Sequence, residues 1–183
     1  DKEVNYYVEP EYASVAKKIF GNTPEMIGFF SSITGVEYPW IKYSQMTGRD
    51  FVAGAMENTT ATLHQNSAQQ DVRELTDKNK WEGTIAHELF HQWFGDYITL
   101  ASWHEIWLNE GFATYMSGLA YENLLDGKWW PQFKSANLSR IISSLGGSVY
   151  VKDTTNINAV FSSRLSYSKG AYLLHMLRWI LGD

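Results

Sequence analysis

Two histidines four residues apart, in His87-Glu88-Leu89-Phe90-His91, constrain this chain more than any other feature. Positions i and i+4 share one face of a helix, one turn apart. In that conformation two imidazoles reach one small cation, and neutral imidazole is a good zinc ligand. Glu88 sits beside them, close enough to act on a metal-bound water and not obliged to ligate. The flanks carry helix signals: Asn79 as a cap, Glu82 three residues on, and Gly95 as a stop. The spacing therefore predicts a helix over 80–95. A catalytic zinc wants three protein ligands and an open position. Glu110, in Trp107-Leu108-Asn109-Glu110-Gly111-Phe112-Ala113, follows His91 after 18 intervening residues, room for a turn, a short strand and entry into a second helix. An acidic residue there also suits the first turn of a helix, through the helix dipole. His104 and Glu105 are rival ligands in the connecting segment. His104 does not share the face of His87 and His91 and reads as a surface or supporting residue, whereas His175, in a late apolar helix, reads as core.

Composition narrows the alternatives. The 183 residues carry a formal net charge of −5, which argues against a nucleic-acid partner, since such modules present a basic patch. There is no cysteine, so neither a disulfide framework, a thiolate metal site nor a cysteine nucleophile exists. Apolar residues make up 44% and aromatics 15%, enough to bury a core. No apolar run approaches the length of a membrane span. Asn58-Thr59-Thr60 and Asn137-Leu138-Ser139 match the glycosylation sequon.

The remaining pattern orders the elements. Pro10-Glu11-Tyr12 starts a helix with Val15, Ala16, Ile19 and Phe20 on one face, and Gly21 stops it. A second helix starts with Thr23 as cap and Pro24 at the first helical position, and ends at Gly35. Residues 38–64 are rich in β-formers, with turn signals at Thr47-Gly48-Arg49-Asp50 and around Gly54. A short β-like segment follows at Tyr97-Ile98-Thr99-Leu100. Helical patterns then cover about 109–125, 131–144 and 168–181. Helices, then strands, then helices predict an α+β fold rather than repeated βαβ units.

Gly54-Ala55-Met56-Glu57-Asn58, His87-Glu88-x-x-His91, Asn109-Glu110-Gly111-Phe112-Ala113 and Tyr167-Ser168-Lys169-Gly170 occur in this order. With Tyr38-Pro39-Trp40 and Gln92-Trp93-Phe94-Gly95-Asp96, the set resembles the zinc aminopeptidases of the alanyl aminopeptidase and leukotriene A4 hydrolase family, a branch of the gluzincins. The resemblance covers nearly the whole chain. It implies a thermolysin-like catalytic domain, with a small mixed sheet followed by a mainly helical part. It implies that His87, His91 and Glu110 hold one Zn²⁺, that Glu88 is the general base, and that Tyr167 stabilises the oxyanion. Glu57 would bind the substrate's free α-ammonium, while Gly54, Ala55 and Met56 line the cleft. The partners implied are peptides with a free N-terminus.

Two departures from the family pattern stand out. Ser117 occupies a position, seven residues after Glu110, where many relatives carry an acid that supports a zinc histidine. Relatives also have a β-domain before this region and helical material after it. The expectation is that residues 1–183 form one catalytic zinc-peptidase domain, a piece of a larger multidomain enzyme. Three competing readings remain at this point, the weakest being an epoxide hydrolase activity like that of one branch of the family. An endopeptidase would use the same zinc machinery without Glu57's amine recognition, and a non-catalytic peptide-binding domain would have no use for Glu88 or Tyr167.

Overall fold

The β-rich stretch between residues 38 and 65 resolves into three strands, in a computed structural model that describes residues 2–125 and 127–182. They are β2 (Lys42–Gly48), β3 (Ala55–Met56) and β4 (Ala61–Gln65). A fourth strand, β1 (Glu3–Tyr7), comes first in the chain and joins them in the order β1-β2-β4-β3. β1 and β4 run parallel to β2, and β3 runs antiparallel to β4. The sheet is therefore small and mixed, and the fold is α+β. The sequence pattern predicts no strand at residues 3–7. That strand's partner is β2, with Val4 opposite Tyr43, so its stabilisation comes from distant sequence rather than local signals.

The chain divides into two compact units, one up to Asp96 and one from Tyr97. In the first, the segment expected as one helix from Pro10 breaks into a 3₁₀ turn (Pro10–Tyr12) and α1 (Ala16–Phe20). α2 (Thr23–Thr34) ends at Gly35 in the left-handed conformation, as the glycine predicts. Thr23 is not the cap; Asn22 is. The buried Thr23 hydroxyl donates to the Phe20 carbonyl at 2.7 Å and accepts from Gln45 Nε2 at 2.7 Å. α3 (Glu82–Phe90) carries His87, has His91 as its C-terminal cap, and is shorter than the predicted 80–95. Asn79 serves its N-terminus, accepting from the Trp81 N–H at 3.0 Å. Glu82 does not reach back to a backbone N–H. Its carboxylate takes the side-chain amides of Asn79 and Asn22 instead. α2 and α3 meet through rings: Phe30 lies edge-on to Phe90 at 5.2 Å and to Trp93 at 6.0 Å.

The second unit is helical: α4 (Trp107–Asn123), α5 (Trp130–Ile142), the single turn α6 (Ile157–Val160) and α7 (Gly170–Leu181). A π-helical turn, Ser163–Lys169, leads into α7, ahead of the start at 168 that the pattern predicts. Tyr97–Leu100 is not a strand of the sheet; Leu100 packs on a cluster of Ile106, Val151 and Val160. α4 and α7 cross at glycines. A Cβ on Gly111 would fall 2.9 Å from Gly170 Cα, which real Cβ contacts do not tolerate. Asn137 is buried on α5, where its Oδ1 accepts from Ser168 Oγ at 2.8 Å, so that sequon is closed to a glycan. Among the described residues no helix is long and apolar enough to cross a membrane.

Candidate metal and peptide site

α3 presents its histidines as the spacing requires. His91 closes the helix, its N–H donating to the His87 carbonyl at 3.2 Å. The two rings lie 4.6 Å apart at 82°, and their Nε2 atoms face each other at 3.0 Å. His91 is 1% exposed. Its Nδ1 lies 2.9 Å from the Phe94 carbonyl oxygen. A carbonyl only accepts, so Nδ1 carries the proton and Nε2 of the neutral ring is left with its lone pair. The bond to the Phe94 carbonyl orients the ring and fixes its tautomer. Gly95 makes room for it: its φ is +144°, and a Cβ there would come within 2.9 Å of His91 Nδ1. Two converging imidazole nitrogens, with carboxylates nearby and no thiolate, fit zinc by donor chemistry. Glu57, Glu88 and His91 bring their ligand atoms within 4.8 Å of one another, and Glu88 is buried.

The stretch from Gly54 to Asn58 lies beside this helix end in the same unit. Ala55 and Met56 form β3, an end strand, opposite His64 and Leu63 of β4. Gly54 is exposed, and its carbonyl accepts from the Gln65 N–H at 2.9 Å. Glu57 Oε1 stands 3.9 Å from His91 Nδ1. Asp96 faces the same group; burial, then the Glu57 charge, push its carboxyl up to about 6. Gln92, named above only within the Gln92–Asp96 segment and given no role there, joins this group. It is fully buried, donates from Nε2 to the Glu57 carbonyl at 3.0 Å and accepts at Oε1 from the Thr60 N–H at 2.9 Å.

The remaining expected residues lie in the second unit. Glu110 is buried in the first turn of α4. Tyr167 sits in the π-helical turn between Ser166 and Ser168, which are both buried. The Ser166 hydroxyl donates to the Val160 carbonyl at 2.7 Å, and Ser168 accepts from Arg140 at 3.0 Å while donating to Asn137. These bonds hold the backbone on either side of Tyr167. π-helical turns recur at functional sites.

The rival ligands have structural duties. His104 Nδ1 donates to the Val151 carbonyl at 2.5 Å, and its ring stacks on Tyr150 at 5.1 Å. Glu105 accepts from the Trp107 indole at 2.6 Å. His175 belongs to an aromatic cluster with Trp130 and Tyr172, half-buried rather than fully inside. Burial, then the nearby Lys134 and Arg178 cations, hold its pKa below the usual histidine value. Ser117 is buried and donates to the Thr114 carbonyl of its own helix at 2.8 Å.

Residues 19–183 match the domain of peptidase family M1. Aminopeptidase 2 of Candida albicans is 36% identical over 169 residues, 87% of this chain and 18% of that protein. Aminopeptidase M1-B of Oryza sativa subsp. japonica is 33% identical over 190 residues, 98% of this chain and 22% of that protein. The chain thus spans about a fifth of the length of these curated relatives. The crystal structure of the M1 zinc metallopeptidase from Deinococcus radiodurans superposes with a TM-score of 0.71 at 29% identity, covering 89% of this chain and 33% of that one. A variant of that enzyme bound to a Tyr-Ser-Ala substrate superposes with a TM-score of 0.72.

Proposed function

This chain belongs to peptidase family M1, and from that premise we propose that residues 1–183 are the catalytic domain of a zinc-dependent aminopeptidase of the alanyl aminopeptidase and leukotriene A4 hydrolase type. The observation that carries the reading is the convergence of His87 Nε2 and His91 Nε2 at 3.0 Å, with the His91 tautomer set by the Phe94 carbonyl. His87, His91 and Glu110 are the residues that would hold one Zn²⁺; Glu110 joins on its motif and on the 18-residue spacing. Zinc held there supplies a Lewis acid that polarises the scissile carbonyl and acidifies a water. The domain is taken as part of a longer enzyme whose further domains are its structural partners, as the share of the relatives' length suggests.

The chain's own side chains then have distinct duties. Glu88 accepts the proton of the attacking water and delivers it to the leaving amine, so one carboxylate serves both halves of the reaction. Tyr167 donates a hydrogen bond to the carbonyl oxygen as charge develops on it, a contact worth more in the transition state than in the ground state. Glu57 pairs with the free α-ammonium of the substrate. Peptides lacking that charge leave the carboxylate unpaired and are rejected. Gly54, Ala55 and Met56 line the cleft, where the end strand β3 offers a place for the peptide to add as a strand.

Hydrolysis of aminoacyl arylamides, with and without a chelator, tests this. Activity should vanish with the chelator and return with zinc. Glu88→Gln should lower kcat by about 10²–10⁴-fold, the range for a positioned acid–base group. Glu57→Gln should weaken cleavage of free-amine substrates far more than of N-blocked ones. Chelator-resistant turnover, or an active Glu88→Gln, contradicts the reading.

A further inference from the structure

One side chain bridges the two ends of the Glu57–Thr60 backbone, and it sits next to a histidine of the candidate metal pair. Gln92 follows His91 directly and is fully buried. Its Nε2 donates to the Glu57 carbonyl at 3.0 Å, and its Oε1 accepts from the Thr60 N–H at 2.9 Å. The two partners fix the amide orientation, because a carbonyl only accepts and an N–H only donates. Gln92 is itself anchored: the Trp40 indole donates to its backbone carbonyl at 3.0 Å. The stretch it grips is strained. Thr60 has φ +66°, a left-handed conformation that a β-branched residue rarely adopts. Strain of this kind persists where the surroundings over-determine it. The Thr60 carbonyl and the Asn58 carbonyl are also used, by the Ser44 N–H at 2.8 Å and the Ala61 N–H at 2.7 Å. The turn is thus pinned on one side to the sheet and on the other to the end of α3.

We propose that Gln92 is the positioning residue for amine recognition, its side-chain amide fixing the Glu57–Thr60 turn to the metal-bearing helix so that the Glu57 carboxylate stands at a set distance from the metal site. The proposal rests on Glu57 as the amine-binding group. An amide is the side chain that suits this place, since it must donate to one backbone group and accept from another three residues further along. Gln92→Met keeps the length and loses both backbone bonds, together with the Tyr38 hydroxyl that donates to Oε1 at 3.4 Å. Gln92→Glu keeps the acceptor and turns an oxygen on the Glu57 carbonyl.

The test measures the inhibition constants of an amino-acid hydroxamate and of its des-amino analogue on the full protein, with zinc content measured for each variant. The two compounds share the metal-binding group, so their ratio isolates amine recognition. Gln92→Met and Gln92→Glu should reduce the preference for the amine-bearing compound by about tenfold or more while zinc is retained. Thr60→Gly, which accepts φ +66° without strain, should restore part of the preference when combined with Gln92→Met. A structural role alone would weaken both compounds in parallel and leave the ratio unchanged, which overturns the proposal. Glu57→Gln separates the two claims. If it collapses the preference while both Gln92 variants keep theirs within about twofold, Gln92 has no positioning role and Glu57 keeps its own. If Glu57→Gln leaves the preference intact, the assignment of Glu57 fails and the role of Gln92 fails with it.

Discussion

The two units surround their candidate site residues differently: hydrogen-bonded clamps in one, and in the other a close backbone crossing beside hydrogen-bonded serines. In the unit up to Asp96, the candidate site residues are held by hydrogen bonds with defined partners. His91 is tied to the Phe94 carbonyl, and the turn carrying Glu57 is tied to Gln92. In the unit from Tyr97, Glu110 and Tyr167 each lie within a few residues of a backbone crossing. Gly111 of α4 and Gly170 of α7 approach so closely that a Cβ on Gly111 would fall 2.9 Å, and one on Gly170 3.0 Å, from the other's backbone. A hydrogen-bonded clamp responds to a change of one polar atom at constant volume, and a backbone crossing to one methyl group. An added methyl should therefore destabilise at the Gly111–Gly170 crossing and not on an open helix face such as that of Gly28.

The largest effect is expected at Tyr167. Tyr167→Phe removes one oxygen and keeps the ring, so it should leave the fold and the zinc content alone and lower kcat by about 10²–10³-fold, the scale of a lost oxyanion donor. Steady-state kinetics with zinc analysis checks it. A kcat within about twofold of the native value would mean that Tyr167 serves only packing.

Stability against pH comes next. His64 is buried on β4, its Nε2 facing Gln45 Oε1 at 3.0 Å, and its Nδ1 has no hydrogen-bond partner among the described residues. Burial lowers its pKa from 6.5 to about 4. The folded form therefore binds the proton less readily than the unfolded form. Its contribution is complete above pH 6.5 and is lost as the pH falls toward 4. The loss should reach about 3 kcal/mol at 1.36 kcal/mol per pKa unit. Urea unfolding at pH 7 and pH 4, with a chelator in both, measures it. His64→Gln should flatten that part of the slope, and an equal slope in both proteins would contradict the assignment.

The smallest effects test the comparison most simply. Gly28 lies on α2 with nothing within 4 Å of an added Cβ. Gly28→Ala should stabilise by roughly 0.5–1 kcal/mol through helix propensity. Gly111→Ala makes the same change in α4, where the methyl meets the Gly170 backbone at 2.9 Å. It should destabilise by about 2 kcal/mol, as overpacking outweighs propensity. Denaturant midpoints decide both. A stabilising Gly111→Ala would show that the crossing yields easily.

Sequence pattern reached the elements whose stabilisation is local. The helix of His87 and His91, the glycine stop of α2 at Gly35 and the later helices follow from spacing and caps. It missed β1, whose partner β2 lies some forty residues on and supplies what the local sequence lacks. It assigned Thr23 to a cap, although a buried hydroxyl offered both a helix end and Gln45 served the sheet side. Of the candidate site, the histidine pair was legible because helical spacing alone brings the rings together. The Gln92 clamp was not, because nothing in a glutamine's neighbours announces that it will bridge two backbone groups from a turn more than thirty residues earlier.

The central claim is that His87, His91 and Glu110 hold zinc. Metal content per chain, measured by mass spectrometry on the purified protein and on His87→Ala and Glu110→Ala, tests it most directly. The account predicts about one zinc per chain in the native protein and loss of it in both variants. A Glu110→Ala protein that keeps its full zinc content with unchanged affinity would contradict the ligand set.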